Sequence, residues 1–260
     1  MRIDAIIQST NYADMLELTL PQNLASFDTV TVYTKRGDEA TKAVCAHHTT
    51  TCIETDRFTQ NGSRFNRGAV YNEAFDRHIQ HATRSGKPEQ LGWFCLLDSD
   101  IVMPPGWRRA FEGLPPDQEC FYGARRYNVE TLEQYTDIQV RGDAALRELT
   151  LFRGIGHGYL QIFNVWSRTF LRLWRETRSN PYPEWSDGST ADWVFRNAFG
   201  EQPWDPPTQP PDHVLDHTVP EPCDPPTGLL RKLPFNVVHL GVTGVNSTGR
   251  HTPLWTVPSA

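Results

Sequence analysis

The chain lacks the long apolar segments, the paired cysteines and the basic excess that mark three large groups of proteins. No stretch of its 260 residues approaches the roughly 18 consecutive apolar residues that a membrane-spanning helix requires. The apolar run near the start is short and contains an acid, Asp4, so it does not predict a secretory signal. We therefore expect a protein that acts in solution and has no membrane partner.

Cysteine is scarce and unpaired. The five cysteines are odd in number, widely scattered and never arranged as C-x-x-C. This pattern predicts reduced thiols rather than a disulfide framework, and hence a cytoplasmic location.

Positive charge is not in excess either, because the formal net charge is -6. This balance gives no general attraction to nucleic acid or to an anionic membrane, although a local basic groove is compatible with an acidic average. The length suits one large α/β domain with a substantial core.

The most informative stretch is a short apolar run at residues 93–97 that ends in Asp98, Ser99 and Asp100. Such a run predicts a central strand that is buried on both faces, which places the acids at its carboxyl edge, where open α/β sheets bind ligands. Two close carboxylates repel each other, and a divalent cation would offset that repulsion. The alternative is ordinary turn chemistry, since Asp and Ser also bond their own backbone.

Apolar and β-branched runs alternate with helical patterns along the chain, which predicts an α/β fold. Predicted strands are 3–8, 29–33, 51–54, 93–97, 121–124, 159–164 and 236–240, and predicted helices are 13–20, 66–82, 168–178 and 192–199. Nine prolines at 203–226 predict a long loop or lid. We expect one domain with a mainly parallel central sheet, flanked by helices.

Five segments together, in this order, resemble the glycosyltransferases of the GT-A (Rossmann-like) fold. They are the first strand with the polar loop after it, residues 64–72, the acidic triplet with Leu97, residues 191–196 and residues 238–241. The resemblance covers nearly the whole chain. It implies a nucleotide-sugar-binding half at 1–100, an acceptor and catalytic half at 101–202, the Pro-rich loop at 203–226 and a segment at 227–260 that closes over the metal and diphosphate.

The resemblance also implies a metal site. Asp100 would bind Mn²⁺ or Mg²⁺ directly, Asp98 would contact the metal through water or contact the donor's ribose, and His239 would complete the ligand set. A divalent cation there stabilises the departing nucleoside diphosphate as a Lewis acid. The alternative for His239 is a strand-end histidine bonded to backbone.

For transfer with inversion, a carboxylate must take the acceptor proton. The resemblance assigns this role to Asp192, although the acid that often precedes it in the family is Ala191 here. Asp187 and Glu184 are rivals in the preceding loop. Asp192 also suits a helix start, where an Asp is favoured as a cap, and a retaining enzyme needs no such base.

Contacts to the donor would come from the ends of the first strands and from the last segment of the chain. Each of these residues could also be an ordinary exposed loop residue. They are Thr10 and Tyr12 at the nucleobase, Asp38 or Asp56 at the base edge or ribose, Arg64 and Arg67 at phosphate, and Asn246 and Arg250 closing over the diphosphate. A UDP-sugar is the favoured donor.

The predicted function is a metal-dependent glycosyltransferase, inverting, whose acceptor is a saccharide, a small molecule or a modified DNA base. One alternative is a phage-type transferase acting on hydroxymethylated DNA bases in the host cytoplasm, which needs a basic groove. Its candidate residues are Arg108, Arg109, Arg125, Arg126 and Arg141. Two further alternatives are a nucleotidyltransferase, disfavoured because Gly and Lys are missing after the first strand, and a non-catalytic carbohydrate-binding domain.

Overall fold

A nine-stranded sheet runs through the computed structural model, which describes residues 1–63, 65–86, 92–114, 116–149, 151–152, 160–178, 180–184, 191–199 and 229–241. The strands are β1 (Ile3–Gln8), β2 (Thr29–Lys35), β3 (Thr51–Thr55), β4 (Trp93–Asp98), β5 (Ile101–Val102), β6 (Phe121–Val129), β7 (Leu151–Phe152), β8 (Leu160–Asn164) and β9 (Leu230–Leu240). The helices are α1 (Ala13–Leu24), α2 (Glu39–His47), α3 (Arg67–Ser85), α4 (Trp107–Glu112), α5 (Leu132–Arg141), α6 (Asp143–Leu146), α7 (Arg168–Glu176) and α8 (Ala191–Asn197).

Short polar side chains begin several of the helices. Asp38 accepts a hydrogen bond from Thr41 N at the start of α2, and Asn66 does the same for Ala69 N at the start of α3. These caps satisfy backbone N–H groups that the first helical turn leaves without partners. None of the helices in the described residues combines the length and apolar character that crossing a membrane demands.

The strand order is β3-β2-β1-β4-β8-β6-β9-β5, with β7 paired to β6. The first four strands are parallel throughout, and β8 then pairs antiparallel to β4. β6 and β9 are parallel to each other, and β5 lies antiparallel beside β9. Gln8 and Asp98 are register partners at the ends of β1 and β4, so these two strands end level at one carboxyl edge.

Side-chain alternation divides the core between the two faces of the sheet. Ile7 and Leu97 belong to an apolar cluster on the face covered by α1, α2 and α4, whereas Ile6 and Leu96 belong to the cluster on the other face. That second face is covered by α3, α7 and α8, and its cluster is rich in phenylalanine. Phe75 and Phe163 pack edge to face there, with ring centroids 5.9 Å apart.

The predicted α/β class, with helices flanking a central sheet, is confirmed. Every predicted strand and helix that falls on described residues is present, with ends that differ by a few residues in most cases and with longer extensions of β6 and β9. The sequence patterns missed α2, α4, α6 and the two-residue strands β5 and β7, and they left residues 130–135, where α5 begins, as either helix or loop. The proposed loop at 203–226 lies outside the described residues.

Candidate active site at the carboxyl edge of the sheet

Strand alternation brings three polar side chains to the α3 face at this edge. Gln8 and Asp98 are register partners, and Gln161 of β8 pairs with Leu96 of β4. The first residue of α3, Arg67, lies beside them, because Gln8 Nε2 donates to the Arg67 carbonyl at 2.9 Å. The start of α3 is therefore attached to the end of β1.

The guanidinium of Arg67 joins two carboxylates that are far apart in the chain. It forms an ion pair with Asp98, and its Nη1 donates to Asp192 Oδ2 at 2.8 Å. The Arg67 side chain is only 12% exposed. Burial is the largest single effect on the pKa of Arg67 and lowers it, but Asp192 together with Tyr71 and Tyr182 outweighs burial and raises that pKa above its usual value, so the group stays a cation.

Asp192 is enclosed by its hydrogen-bond donors. Its Oδ1 accepts from the Tyr182 hydroxyl and from Gln161 Nε2 at 3.2 Å, while Arg67 occupies Oδ2. Burial raises the pKa of Asp192, and the Arg67 charge and the two hydrogen bonds lower it in part. In this arrangement Asp192 anchors Arg67, and its three donors fill most of the roughly four acceptor positions of the carboxylate.

The segment that carries Tyr182 is fixed against α3. Asn72 Oδ1 accepts from Tyr182 N, and Asn72 Nδ2 donates to Tyr182 O, both at 2.9 Å. Gly68 allows the close approach, since a Cβ there would lie 1.9 Å from the Pro183 carbonyl oxygen. Sequence reasoning missed Tyr182 and Gln161. Only Gln161 left a signal, as a polar residue inside an apolar strand.

Asp100 faces a different partner, His239 near the end of β9. Asp100 Oδ2 lies 3.6 Å from His239 Nε2, and Leu240 N donates to the Asp100 carbonyl at 2.8 Å. Three buried atoms around this pair have no hydrogen-bond partner among the described residues: Asp100 Oδ1, His239 Nδ1 and Oδ1 of Asn128, the register partner of His239. Unpaired buried polar atoms at this density point to a ligand.

The donor set of this pair fits a divalent cation. Burial lowers the pKa of His239, against the opposing charge of Asp100, so the imidazole is kept in the neutral form that binds metals. A carboxylate oxygen and an imidazole nitrogen suit Mn²⁺ somewhat better than Mg²⁺. The structure thus brings together two of the three residues that the resemblance implied as metal ligands, and their binding of a metal stays a prediction.

Asp98 does not join this pair. Its carboxylate is held by Arg67, and Asp98, Asp100 and His239 do not form a group of mutually close ligand atoms. Direct coordination by Asp98 would require a shift of its side chain. A water-mediated contact between Asp98 and the metal, as the resemblance implied, is compatible with this geometry.

The turn that presents Asp100 is held by α1. Thr19 Oγ1 donates to the Ser99 carbonyl at 2.7 Å, and Asn23 Nδ2 donates to the Ile101 carbonyl at 2.7 Å. Asn23 Oδ1 also accepts from Met103 N at 3.0 Å. These buried bonds use backbone groups on both sides of Asp100, so its position is fixed independently of any ligand.

The predicted donor contacts Thr10 and Tyr12 lie in the loop after β1, and Thr10 Oγ1 is buried without a partner among the described residues. Asp38 holds the loop after β1 in place. It caps α2, and its Oδ2 also accepts hydrogen bonds from Asn11 N at 2.9 Å and from Thr34 Oγ1 at 3.1 Å. Its oxygens are already well supplied with donors, so it shapes this loop. A contact between Asp38 and a nucleotide stays a prediction.

Four predicted site residues lie outside the described residues: Arg64, Asp187, Asn246 and Arg250. Their roles remain predictions. Of the predicted residues that are described, the structure brings Arg67, Asp98 and Asp192 into one cluster and Asp100 and His239 into another.

No protein-family model matches this chain, and no curated protein matches it in sequence. Similar solved structures include the glucosyl-3-phosphoglycerate synthase of Mycobacterium tuberculosis in complex with Mn²⁺, UDP and phosphoglyceric acid, at 11% identity and a TM-score of 0.38. They also include the mannosyl-3-phosphoglycerate synthase of Rubrobacter xylanophilus, at 13% identity and a TM-score of 0.38.

Each of these two comparisons covers 63% of this chain, which spans about half the length of either synthase, 55% and 53% respectively. A third similar structure is the 4-diphosphocytidyl-2C-methyl-D-erythritol synthase of Anaerococcus prevotii, at 11% identity and a TM-score of 0.40, over 75% of this chain and 84% of the other. Likeness at this level does not establish a shared activity.

Proposed function

We propose that this protein is a divalent-metal-dependent glycosyltransferase that uses a nucleotide-sugar donor. The observation that carries the proposal is the pairing of Asp100 with His239 at the carboxyl edge of the sheet, surrounded by buried polar atoms without partners in the described part of the chain. Ligands bind outside this edge in open α/β sheets. A UDP-sugar remains the favoured donor, by the resemblance of the sequence.

Asp100 and His239 would hold Mn²⁺ or Mg²⁺, and the cation would supply Lewis-acid stabilisation of the departing diphosphate. Around it, Arg67 keeps Asp98 in place and balances its charge. Asn246 and Arg250 would close over the diphosphate, with Arg250 donating charge-assisted hydrogen bonds. Thr10 and Tyr12 would line the nucleobase pocket, and Arg64 would contact phosphate.

For an inverting reaction, the base is either Asp192 or Asp187. Asp192 has the raised pKa that favours a proton acceptor, but its three donors already occupy both carboxylate oxygens. The Asp192→Asn variant separates the two roles. If Asp192 only anchors Arg67, turnover falls but donor hydrolysis to water persists with the same pH profile; if it is the base, the pH dependence that the base gives to kcat is lost.

The test is a panel of nucleotide-sugars with Mn²⁺ or Mg²⁺, with and without candidate saccharide, small-molecule and DNA acceptors, read by release of nucleoside diphosphate. Asp100→Asn and His239→Ala should abolish metal-dependent release and weaken Mn²⁺ binding at least about tenfold. His81→Ala, an exposed histidine on α3, is the matched control and should behave as wild type. Unchanged activity in both site variants would remove the proposed metal site.

The same assay tests the alternatives. A nucleotidyltransferase would release pyrophosphate from a nucleoside triphosphate, and a non-catalytic carbohydrate-binding domain would bind sugar without releasing either product. The phage-type hypothesis needs free arginines, yet Arg108 pairs with Asp28 at 2.8 Å and Arg141 with Glu148 at 2.9 Å. These pairs reduce the charge available to DNA phosphates, so we place this acceptor behind the other two.

A further inference from the structure

A second group of metal-binding side chains lies on the surface between α1 and α2, on elements other than those that carry Asp100 and His239. Glu17 comes from α1, His47 is the last residue of α2, and His48 caps the end of that helix. Among the described residues, this is the one set of at least three histidine, cysteine or acidic ligand atoms that all lie within 4.8 Å of one another.

Both imidazoles approach the same carboxylate oxygen. His48 Nε2 lies 3.1 Å and His47 Nε2 lies 3.9 Å from Glu17 Oε1. The two rings pack edge to face, with centroids 4.6 Å apart. Two nitrogens and one oxygen therefore converge on one point, although Glu17 and His47 come from different helices.

The end of α2 makes this convergence possible. Consecutive residues inside a helix point roughly 100° apart, so two adjacent histidines would normally face different directions. Here the helix ends at His47, His48 adopts φ -92° and ψ 9°, and Thr49 turns the chain with a left-handed φ of 54°. A non-glycine residue rarely adopts that conformation.

We propose that Glu17, His47 and His48 form a binding site for a divalent transition-metal ion of the Zn²⁺ class. Ligands held about 2.0–2.1 Å from a tetrahedral Zn²⁺ lie roughly 3.3 Å apart, and the distances of 3.1 and 3.9 Å bracket that value. Two imidazoles and one carboxylate select Zn²⁺, Cu²⁺, Ni²⁺ and Co²⁺ over Mg²⁺ and Ca²⁺, which prefer oxygen-only sites.

The exposure of the three side chains fits an exchangeable site with water in the remaining positions. His47 is 71% exposed and Glu17 is 46% exposed, whereas His48 is largely buried and would orient the set. A bound ion would link α1 to α2, and because the unfolded chain does not hold these groups together, it would stabilise the folded protein.

The first experiment measures binding to the full chain with Cu²⁺ as a spectroscopic probe. With one equivalent of Cu²⁺, electron paramagnetic resonance should count two imidazole nitrogens, and one in His47→Asn or His48→Asn. Exposed His81→Asn is the control and should leave the count at two. An unchanged nitrogen count in the His47→Asn/His48→Asn double variant would overturn the proposal.

The second experiment uses Zn²⁺ in equilibrium dialysis, in a His239→Asn background so that the candidate active site does not contribute. Glu17→Gln and His48→Asn should each weaken the Kd at least about tenfold, while Mg²⁺ at the same concentration should not compete. At about a hundred times the Kd, Zn²⁺ should raise Tm by roughly 5–10 °C, and that rise should vanish in the double histidine variant. A rise that persists there would contradict the site.

Discussion

Arg67→Met tests whether Arg67 neutralises Asp192 inside the protein. The substitution keeps a long apolar side chain but removes the guanidinium that contacts Asp98 and donates to Asp192 Oδ2 at 2.8 Å. Asp98 is 25% exposed and can be solvated by water once Arg67 is gone, whereas the Asp192 side chain is only 3% exposed. The penalty therefore falls mainly on Asp192, which is left as a buried charge without a cation.

Removing one partner of a buried ion pair costs about 3–5 kcal/mol, so we expect Arg67→Met to lose about that much unfolding free energy at pH 7. Arg77→Met on the same helix is the matched control. Arg77 is 55% exposed and pairs with Glu73 at 2.7 Å, a surface pair that contributes about 1 kcal/mol or less. Urea denaturation followed by circular dichroism measures both variants.

The pH dependence gives a sharper signature. Burial raises the pKa of Asp192 above its ordinary value of 3.8, and Arg67 opposes that rise, so removing Arg67 raises the pKa further. The folded protein then binds a proton that the unfolded chain releases. The contribution of Asp192 to the unfolding free energy of Arg67→Met should be greatest below pH 3.8. It should fall as pH rises through the folded pKa, by at most about 1.4 kcal/mol per pH unit.

The double variant Arg67→Met/Asp192→Asn isolates the cause, because the amide has no charge to bury. It should lose the extra pH slope and recover part of the lost stability. Two outcomes would show that Arg67 does not compensate the charge of Asp192. One is an Arg67→Met variant no less stable than Arg77→Met. The other is a pH slope that is the same in the single Arg67→Met variant and in the double variant.

Three further predictions use the same denaturation measurement. Gly68→Ala should destabilise the protein by about 1–3 kcal/mol or more, since the new Cβ would meet the Pro183 carbonyl oxygen at 1.9 Å. A neutral result would show that the segment carrying Pro183 does not pack against the start of α3. Phe195→Ala should lower the unfolding free energy by about 3–5 kcal/mol, because it leaves a cavity in the phenylalanine-rich cluster, and it should not change metal binding. Burial raises the pKa of Asp38, but its hydrogen bonds outweigh burial and lower that pKa. Asp38→Ala should therefore lose about 0.5–2 kcal/mol of unfolding free energy at neutral pH. The loss should be smaller at acidic pH, because the charged part of the wild-type contribution disappears as pH falls through the lowered pKa.

The parallel half of the fold could be predicted because its signals are local. β1 and β4 are apolar runs followed at once by polar residues, and α3 has its cap in Asn66 and its apolar face in the helical period. The other half depends on pairing between distant segments. Nothing in the residues of β6 indicates that β9 lies parallel to it, and a two-residue strand such as β5 exists only because β9 is beside it.

The site shows the same division. The strand that precedes Asp98 and Asp100 predicts their place at the sheet edge, and the resemblance adds His239 to them. The Arg67–Asp192 contact joins residues 125 positions apart, and no spacing rule relates two such residues. The sequence predicts a phosphate contact for Arg67 from its place near a helix start, and the resemblance predicts the role of base for Asp192. Their contact lets each compensate the buried charge of the other, and a sequence read segment by segment does not reveal this.

The acidic triplet therefore consists of two carboxylates with different surroundings. Asp98, on β4, shares Arg67 with Asp192, and Asp100, past the end of that strand, faces a neutral His239. When all three carboxylates are ionised, they exceed the charge of Arg67 and of Arg126, whose guanidinium acts on His239, so the edge keeps an excess of negative charge. A divalent cation at Asp100 would offset that excess, and a bound diphosphate would then require cations of its own. Arg250 and Arg64 are the residues that we propose for that role, which is why a variant of either should weaken donor binding more than metal binding.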